Sequence, residues 1–376
     1  MSSRTGLLFH ETYMWHATGT QWLPTAGFPL TQPLAHVEGP EAKRRIKNLV
    51  DASALADVLV PLKPRSATPA EIGRVHTPEY IARIAAESAG VGGDAGFGTP
   101  FGPGGYEIAL LSAGGVLAAL EAVVAGRVAN AYAIARPPGH HALPDTGYGF
   151  CIFNNGAIAI RHAQAALGLR RVALVDWDAH HGNGAQHIFY EDPEVLTISL
   201  HQDNSYPKNS GTVAENGAGR GLGANLNIPL PPGSGHGAYV AAFERVVVPA
   251  LRRFRPELIL VASGLDCSYF DPLARMMAYS ETFRVMTQLL MQVAAETAAG
   301  RLVGIHEGGY SEAYVPFCGL AILETLAGHD SGIADPFRDV CGLAGGQALQ
   351  PHQDAVIRTV EPRVAGVPEP LGSEGR

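Results

Sequence analysis

Five short apolar runs constrain the fold of this chain more than any other feature. Each ends at a polar or glycine-rich loop, and most are followed by a longer helical pattern. They are Ala131–Ala135, Val172–Val175, Val195–Leu200, Leu258–Ala262 and Leu302–Ile305. Continuous aliphatic runs of this length suit strands buried on both faces. Their alternation with helical stretches at Asn155–Ala166, Ala238–Phe254 and Glu281–Ala299 predicts an α/β fold with a doubly wound parallel sheet flanked by helices. Ser280 is expected to cap the last of these helices and Gly300 to close it. In open parallel sheets ligands collect beyond the carboxyl ends of the strands, so the residues just after each run are the place to look for chemistry.

One large domain is expected, because α/β enzymes built on a single sheet reach 376 residues. A content of 46% hydrophobic and 16% charged residues, with 45 glycines and 27 prolines, suits a loop-rich globular enzyme and argues against disorder. Residues 1–105 lack the alternation and are expected to supply helices and loops that cap the sheet and shape a substrate entrance. Residues 106–343 complete the catalytic domain as sheet core and active site. Residues 344–376 read as a mobile C-terminal tail with a weak helical stretch near Ala355–Val360.

A net charge of −8 and the absence of clustered Lys and Arg argue against a nucleic-acid partner. The most apolar stretch, Tyr106–Ala125, contains Glu107, Glu121 and the Gly114–Gly115 pair, and reads as a buried helix rather than a membrane span. The apolar run Leu7–Phe9 is too short for the core of a signal peptide, so a cytoplasmic location is the default expectation. The four cysteines show no C-x-x-C spacing and read as reduced thiols. A homo-oligomer is compatible with this composition.

Four of the runs end in residues that carry chemistry. After VALV comes D176-W-D-A-H-H-G-N-G184, in which Asp176, Asp178 and His180 are expected to alternate along an extended segment and therefore to point the same way. A polar turn with satisfied hydrogen bonds explains any one of them, but less readily two Asp and two His within six residues. After LILVA, Asp266 adds a carboxylate at the same sheet edge, although it could also cap a helix or pair with Arg275. Asp178, His180 and Asp266 would form an O,N,O set, and three protein ligands with an open position mark a catalytic zinc rather than a closed structural one. Iron(II) or cobalt(II) would also accept such a set. After AYAIA, R136-P-P-G-H-H141 presents two adjacent imidazoles on a rigid turn, suited to proton transfer beside a metal-activated water or, alone, to a solvated surface turn. After LVGI, H306-E-G-G-Y310 delivers a phenol able to donate to an oxyanion, though a lone Tyr after Gly-Gly more often packs.

RPPGHH, GFCIFNN, DWDAHHGNG, SGLDCSYFDPLAR and EGGY occur in this order. Together with the KRR, VHTPEYI and PFCGLAILETL segments they resemble the histone deacetylase and acetylpolyamine amidohydrolase family, within the arginase-like α/β fold, over residues 36–325. The resemblance implies zinc, Zn(2+), at Asp178, His180 and Asp266. It makes His140 and His141 the tandem histidines, oriented by Asp176 and Asn183, and Tyr310 the transition-state tyrosine. Asn183 stands where class I relatives carry an aspartate and matches the class II and bacterial pattern. Gly149 and Phe150 are placed on one wall of a narrow acyl-chain tunnel and Tyr206 on the other. Leu273 falls where polyamine-selective relatives can carry a glutamate gate. Asp94 falls where the family often has an aspartate that bonds the substrate backbone. Ser199 and Leu200, with Asp176, Asp178 and His180, resemble a structural potassium, K(+), site.

The implied activity is zinc-dependent hydrolysis of acyl-lysine in proteins or peptides, with acylated polyamines or other small N-acyl amines as the second substrate class. A catalytically silent acetyl-lysine binding module would require loss of a ligand, a histidine or the tyrosine, and none is lost. An arginase-like ureohydrolase would need a carboxylate-rich two-manganese site, whereas this set accommodates one metal.

Overall fold

The computed structural model describes residues 4–23 and 32–370. Ten strands are present among them: β1 (Thr5–Leu8), β2 (Val60–Leu62), β3 (Gly93–Asp94), β4 (Pro100–Phe101), β5 (Asn130–Ala133), β6 (Val172–Asp176), β7 (Val195–Gln202), β8 (Asn225–Leu230), β9 (Leu258–Ser263) and β10 (Leu302–His306). Eight form one parallel sheet in the order β2-β1-β5-β10-β9-β6-β7-β8, and β3 and β4 pair separately. All five expected runs are strands. Periodicity does not reveal that β5, β10, β9 and β6, the four whose ends carry polar motifs, lie side by side at the centre.

Alternate side chains of each strand enter opposite layers, as pleating requires. Tyr132, Val175, Ile198, Val261 and Leu302 join one apolar layer. Ala131, Ala133, Leu174, Leu260 and Val303 join the other. Helices cover both layers: Gly105–Val124 and Asn155–Ala166 on one side, Ser280–Thr297 and Val315–Ala327 on the other. The Gly105–Val124 helix is long and apolar enough to cross a membrane, but here it packs within the core. A Cβ at Gly114 would collide with the Arg65 main chain, and one at Gly115 with Tyr13.

The first 105 residues do more than cap the sheet. β1 and β2 are strands of it, with β1 against β5. Both escaped the sequence reading because they are only four and three residues long and contain Gly6 and Pro61. Gly6 lies so close to Leu62 that a Cβ there would press on its side chain. β8 was missed because it alternates asparagine with apolar residues. Asn225 is buried but satisfied by Gln186 and the Glu215 carbonyl.

The expected Ala238–Phe254 helix begins at His236 and widens to a π turn over Phe243–Val247, just before Pro249, which has no N–H to donate. Ser280 is inside its helix rather than capping it. Its hydroxyl donates to Asp335 (2.6 Å), and the Tyr279 amide donates to Thr282 Oγ1 (3.2 Å).

The expected mobile tail is instead packed through Val367. A helix spans Pro351–Val360, and Ile357, Val360 and Val367 are buried in the core. Arg245 pairs with Asp354 and Glu361, and Arg171 donates to the Pro368 carbonyl at 2.8 Å. Residues 371–376 of that expected tail lie outside the described residues. Because Ile357 is fully buried, Ile357→Ala is expected to lower the unfolding free energy by about 2–5 kcal/mol in a urea titration. A change below about 0.5 kcal/mol would mean the tail adds nothing to stability.

Candidate active site

The strand β6 ends in two successive Asx turns, in which Asp176 Oδ1 accepts from the Asp178 amide (3.0 Å) and Asp178 Oδ1 from the His180 amide (2.9 Å). The segment is therefore not extended as expected, and Asp176 parts company with the other two. Its Oδ2 turns to His140 Nδ1 at 3.0 Å.

Asp178, His180 and Asp266 converge. One donor atom from each lies within 4.8 Å of the others, and His180 Nδ1 is 3.1 Å from Asp178 Oδ1 and 2.8 Å from Asp266 Oδ2. All three are buried. The carboxylates are aimed by main-chain donors: Gly308 N to Asp178 Oδ2 (2.9 Å) and Ala179 N to Asp266 Oδ1 (2.7 Å). Glycine is required around them. A Cβ at Gly308 would strike both carboxylates, and one at Gly264 would strike Asp178. Burial and the neighbouring Asp178 charge push the Asp266 carboxyl up to about 6, as expected for acidic groups crowded around a place for a cation. Two carboxylate oxygens, each aimed by an amide from a strand end other than its own, and one imidazole nitrogen fit one zinc ion with a position left open. Asp266 makes no bond to Arg275, whose guanidinium goes to the Pro272 and Ala274 carbonyls.

The tandem histidines sit beside this set with their rings 3.9 Å apart. Asn183 Nδ2 donates to the His141 carbonyl (3.4 Å), which turns its Oδ1 toward His141 Nδ1 (2.6 Å). His141 Nδ1 therefore donates, and Nε2 keeps its lone pair. Burial, then the charges of His140 and His180, hold His141 well below the usual imidazole range, so it stays neutral. His140 differs: burial alone would lower it, but Asp178 and Asp176 outweigh burial and push it up to about 10. One imidazole is held down and its neighbour up, the direction of separation that acid–base chemistry needs.

A cavity of about 280 Å³ leads to these residues, lined by His141, Gly149, Phe150, His180, Tyr206, Leu273 and Tyr310 among others. Gly149 and Phe150 both have left-handed backbone, at φ 49° and 71°. A Cβ at Gly149 would strike His141. Tyr206 meets the His141 ring edge-on at 5.2 Å, and its carbonyl accepts from the His181 amide at 3.0 Å. The Tyr310 ring stands edge-on to Phe150 at 6.0 Å. Burial and the charges of Asp266 and Asp178 raise its phenol well above the usual range, which keeps the proton on it as a donor. Asp94 is not part of the lining. It is exposed, and its Oδ1 accepts from the Gly96 and Thr99 amides, both at 2.9 Å. Those bonds shape the loop that carries Phe97.

Residues 36–326 match the histone deacetylase domain family. The chain belongs to the histone deacetylase family. It is 52% identical over 336 residues, 87% of each chain, to the histone deacetylase-like amidohydrolase of Pseudomonas aeruginosa. It is 36% identical to the human polyamine deacetylase HDAC10 over 81% of this chain and 45% of that one. The crystal structure of the HDA15 HD domain superposes with a TM-score of 0.84 at 30% identity, covering 97% of this chain and 95% of that one. The arginase/deacetylase-like fold and hydrolysis of acyl amides follow from this membership.

In this deacetylase-family site, several contributors were not singled out from sequence. Leu23, Phe97 and Ser205 also line the cavity. Glu307, buried, accepts through Oε2 from the Gly139 and His140 amides at 2.6 and 3.1 Å and so locks the histidine turn. Asp271, also buried, accepts from the Tyr310 and Leu273 amides. Burial, with the Asp176 charge adding to it, lifts the Glu307 carboxyl to about 7. The only signal for either was an acidic residue within a motif at a strand end. The second histidine of DWDAHH, His181, turns away from the metal set to Ser210 and Gln186.

Proposed function

We propose that this protein is a zinc-dependent deacylase of N-acyl lysine side chains in peptides or proteins. Zinc would be held by Asp178, His180 and Asp266. When bound, it supplies polarisation of the amide carbonyl and acidification of a water molecule. His141 Nε2 takes the proton of the attacking water and, once protonated, returns it to the departing amine. His140, cationic against Asp176, stabilises the negative charge that develops beside it. The Tyr310 phenol donates to the carbonyl oxygen as that atom gains charge. Gly149, Phe150 and Tyr206 bound a channel suited to a slim alkyl stem. A potassium ion near Asp176 and Ser199 belongs to the same reading, supported by the register that sets these buried residues opposite one another on β6 and β7.

The observation that favours lysine over polyamines is the lining of the cavity. Among the described residues it includes no carboxylate, and Leu273 stands on its wall. A polyamine substrate brings a second ammonium, which that lining leaves unpaired. The kinship with a human polyamine deacetylase makes acylated polyamines the competing class. With zinc-loaded enzyme, kcat/KM for an acetyl-lysine peptide is expected to exceed that for acetylspermidine or acetylputrescine by about tenfold or more. Leu273→Glu should shift the ratio toward acetylspermidine by about tenfold, the effect of 1.4 kcal/mol of added attraction. Higher kcat/KM for the polyamines in the unaltered protein would overturn the assignment.

A further inference from the structure

Tyr310 sits at the end of a stretch with little to hold it. It follows Gly308 and Gly309, the latter at φ 128°. The Gly308 amide is anchored on Asp178, and the Gly308 carbonyl accepts from Leu265. Beyond it, the next main-chain anchor is the turn that Ser311 opens with Tyr314 and Val315. Between these points the Tyr310 amide makes one bond, to Asp271 Oδ2 at 2.9 Å. Among the described residues the Tyr310 phenol has no hydrogen-bond partner; its ring stands edge-on to Phe150 and has the Lys43 ammonium 5.9 Å from its centre.

Asp271 is 7% exposed and, among the described residues, makes no ion pair. Its Oδ1 closes an ordinary Asx turn across Pro272, accepting from Leu273 (2.8 Å) and Ala274 (3.3 Å). One oxygen suffices for that turn, and Asn or Ser would supply it. The second oxygen has no local use, yet it is buried and spans 39 residues to reach Tyr310. Burying a carboxyl group is costly unless its oxygens are engaged.

We infer that Asp271 is a positioning residue for Tyr310, tethering the main chain that carries the phenol to the turn that carries the Leu273 wall. Asp271 does not touch the cavity. It acts by fixing where the phenol is delivered, and it makes the rim and the oxyanion donor move as one body. This inference rests on the reading of Tyr310 as that donor.

Asp271→Asn keeps an oxygen for Leu273 and sets an amide NH2 against the Tyr310 N–H. Asp271→Ser keeps the turn and is too short to reach Tyr310. In zinc-loaded enzyme acting on an acetyl-lysine peptide, each is expected to lower kcat between about 10- and 100-fold, the scale of a misplaced catalytic group. KM should change less than about twofold, with metal content unchanged. In a Tyr310→Phe background the same substitutions should cost less than about twofold more, since the tether has nothing left to position. Unchanged kcat in both single variants would overturn the inference. So would the full loss repeated in the Tyr310→Phe background, loss of metal from both, or failure of both to fold. A Tyr310→Phe enzyme with normal kcat is a different result, overturning the donor reading itself.

Discussion

Asp178→Ala, His180→Ala and Asp266→Asn proteins are expected to bind metal poorly and to hydrolyse acyl amides on the order of a thousandfold or more slowly, since the ion alone supplies several kcal/mol of charge stabilisation. The three donors are buried within 4.8 Å of one another. Asp266→Asn is the most informative of the three. It preserves shape and an acceptor for the Ala179 amide, and replaces with NH2 the oxygen that faces His180. Asp178→Ala also strands the Gly308 and His180 amides, so about 1–3 kcal/mol of stability should go with each lost partner. Elemental analysis should give one divalent ion per unaltered chain and far less in the variants. Asp94→Ala, on the exposed Phe97 loop, should retain both metal and most turnover. Full activity in metal-free protein, or unaltered metal content in the Asp266→Asn protein, would refute the assignment.

Tyr310→Phe should retain fold and metal and lose about 2.7–4 kcal/mol of transition-state stabilisation, a hundredfold to thousandfold drop in kcat. The ring keeps its packing against Phe150, so only the hydroxyl is removed. KM should move less than kcat, because the bond strengthens only as the carbonyl oxygen gains charge. His141→Ala should be at least as damaging. Its neutral state, favoured by burial and by the His140 charge beside it, leaves Nε2 free to take a proton. Near-normal kcat in a zinc-loaded Tyr310→Phe enzyme would make Tyr310 a packing residue and leave the oxyanion to some other donor.

Much of the strand content and the chemistry at the strand ends were legible in the chain itself, because most strands buried on both faces are continuous apolar runs. A polar cluster straight after such a run must sit at a sheet edge. Asp178, His180 and Asp266, the histidine pair and Tyr310 were singled out on that basis and on the motif order. β1, β2 and β8 were not, since four residues with a glycine, three with a proline and an asparagine-rich run carry no such pattern.

The order of strands was decided only by the tertiary structure. Runs apolar on both faces are interchangeable by periodicity, so nothing local says that β10 and β9 insert between β5 and β6. That insertion brings Asp266 to His180, separated by 86 residues, and the Glu307 carboxylate to Gly139, separated by 168. The division of labour among DWDAHH likewise emerged only in three dimensions. Two Asx turns send Asp176 to His140 and Asp178 to the metal set. Asp271 and Glu307 are bound to main-chain amides, which look alike at every residue, so no pattern of side chains in the sequence could announce those partners.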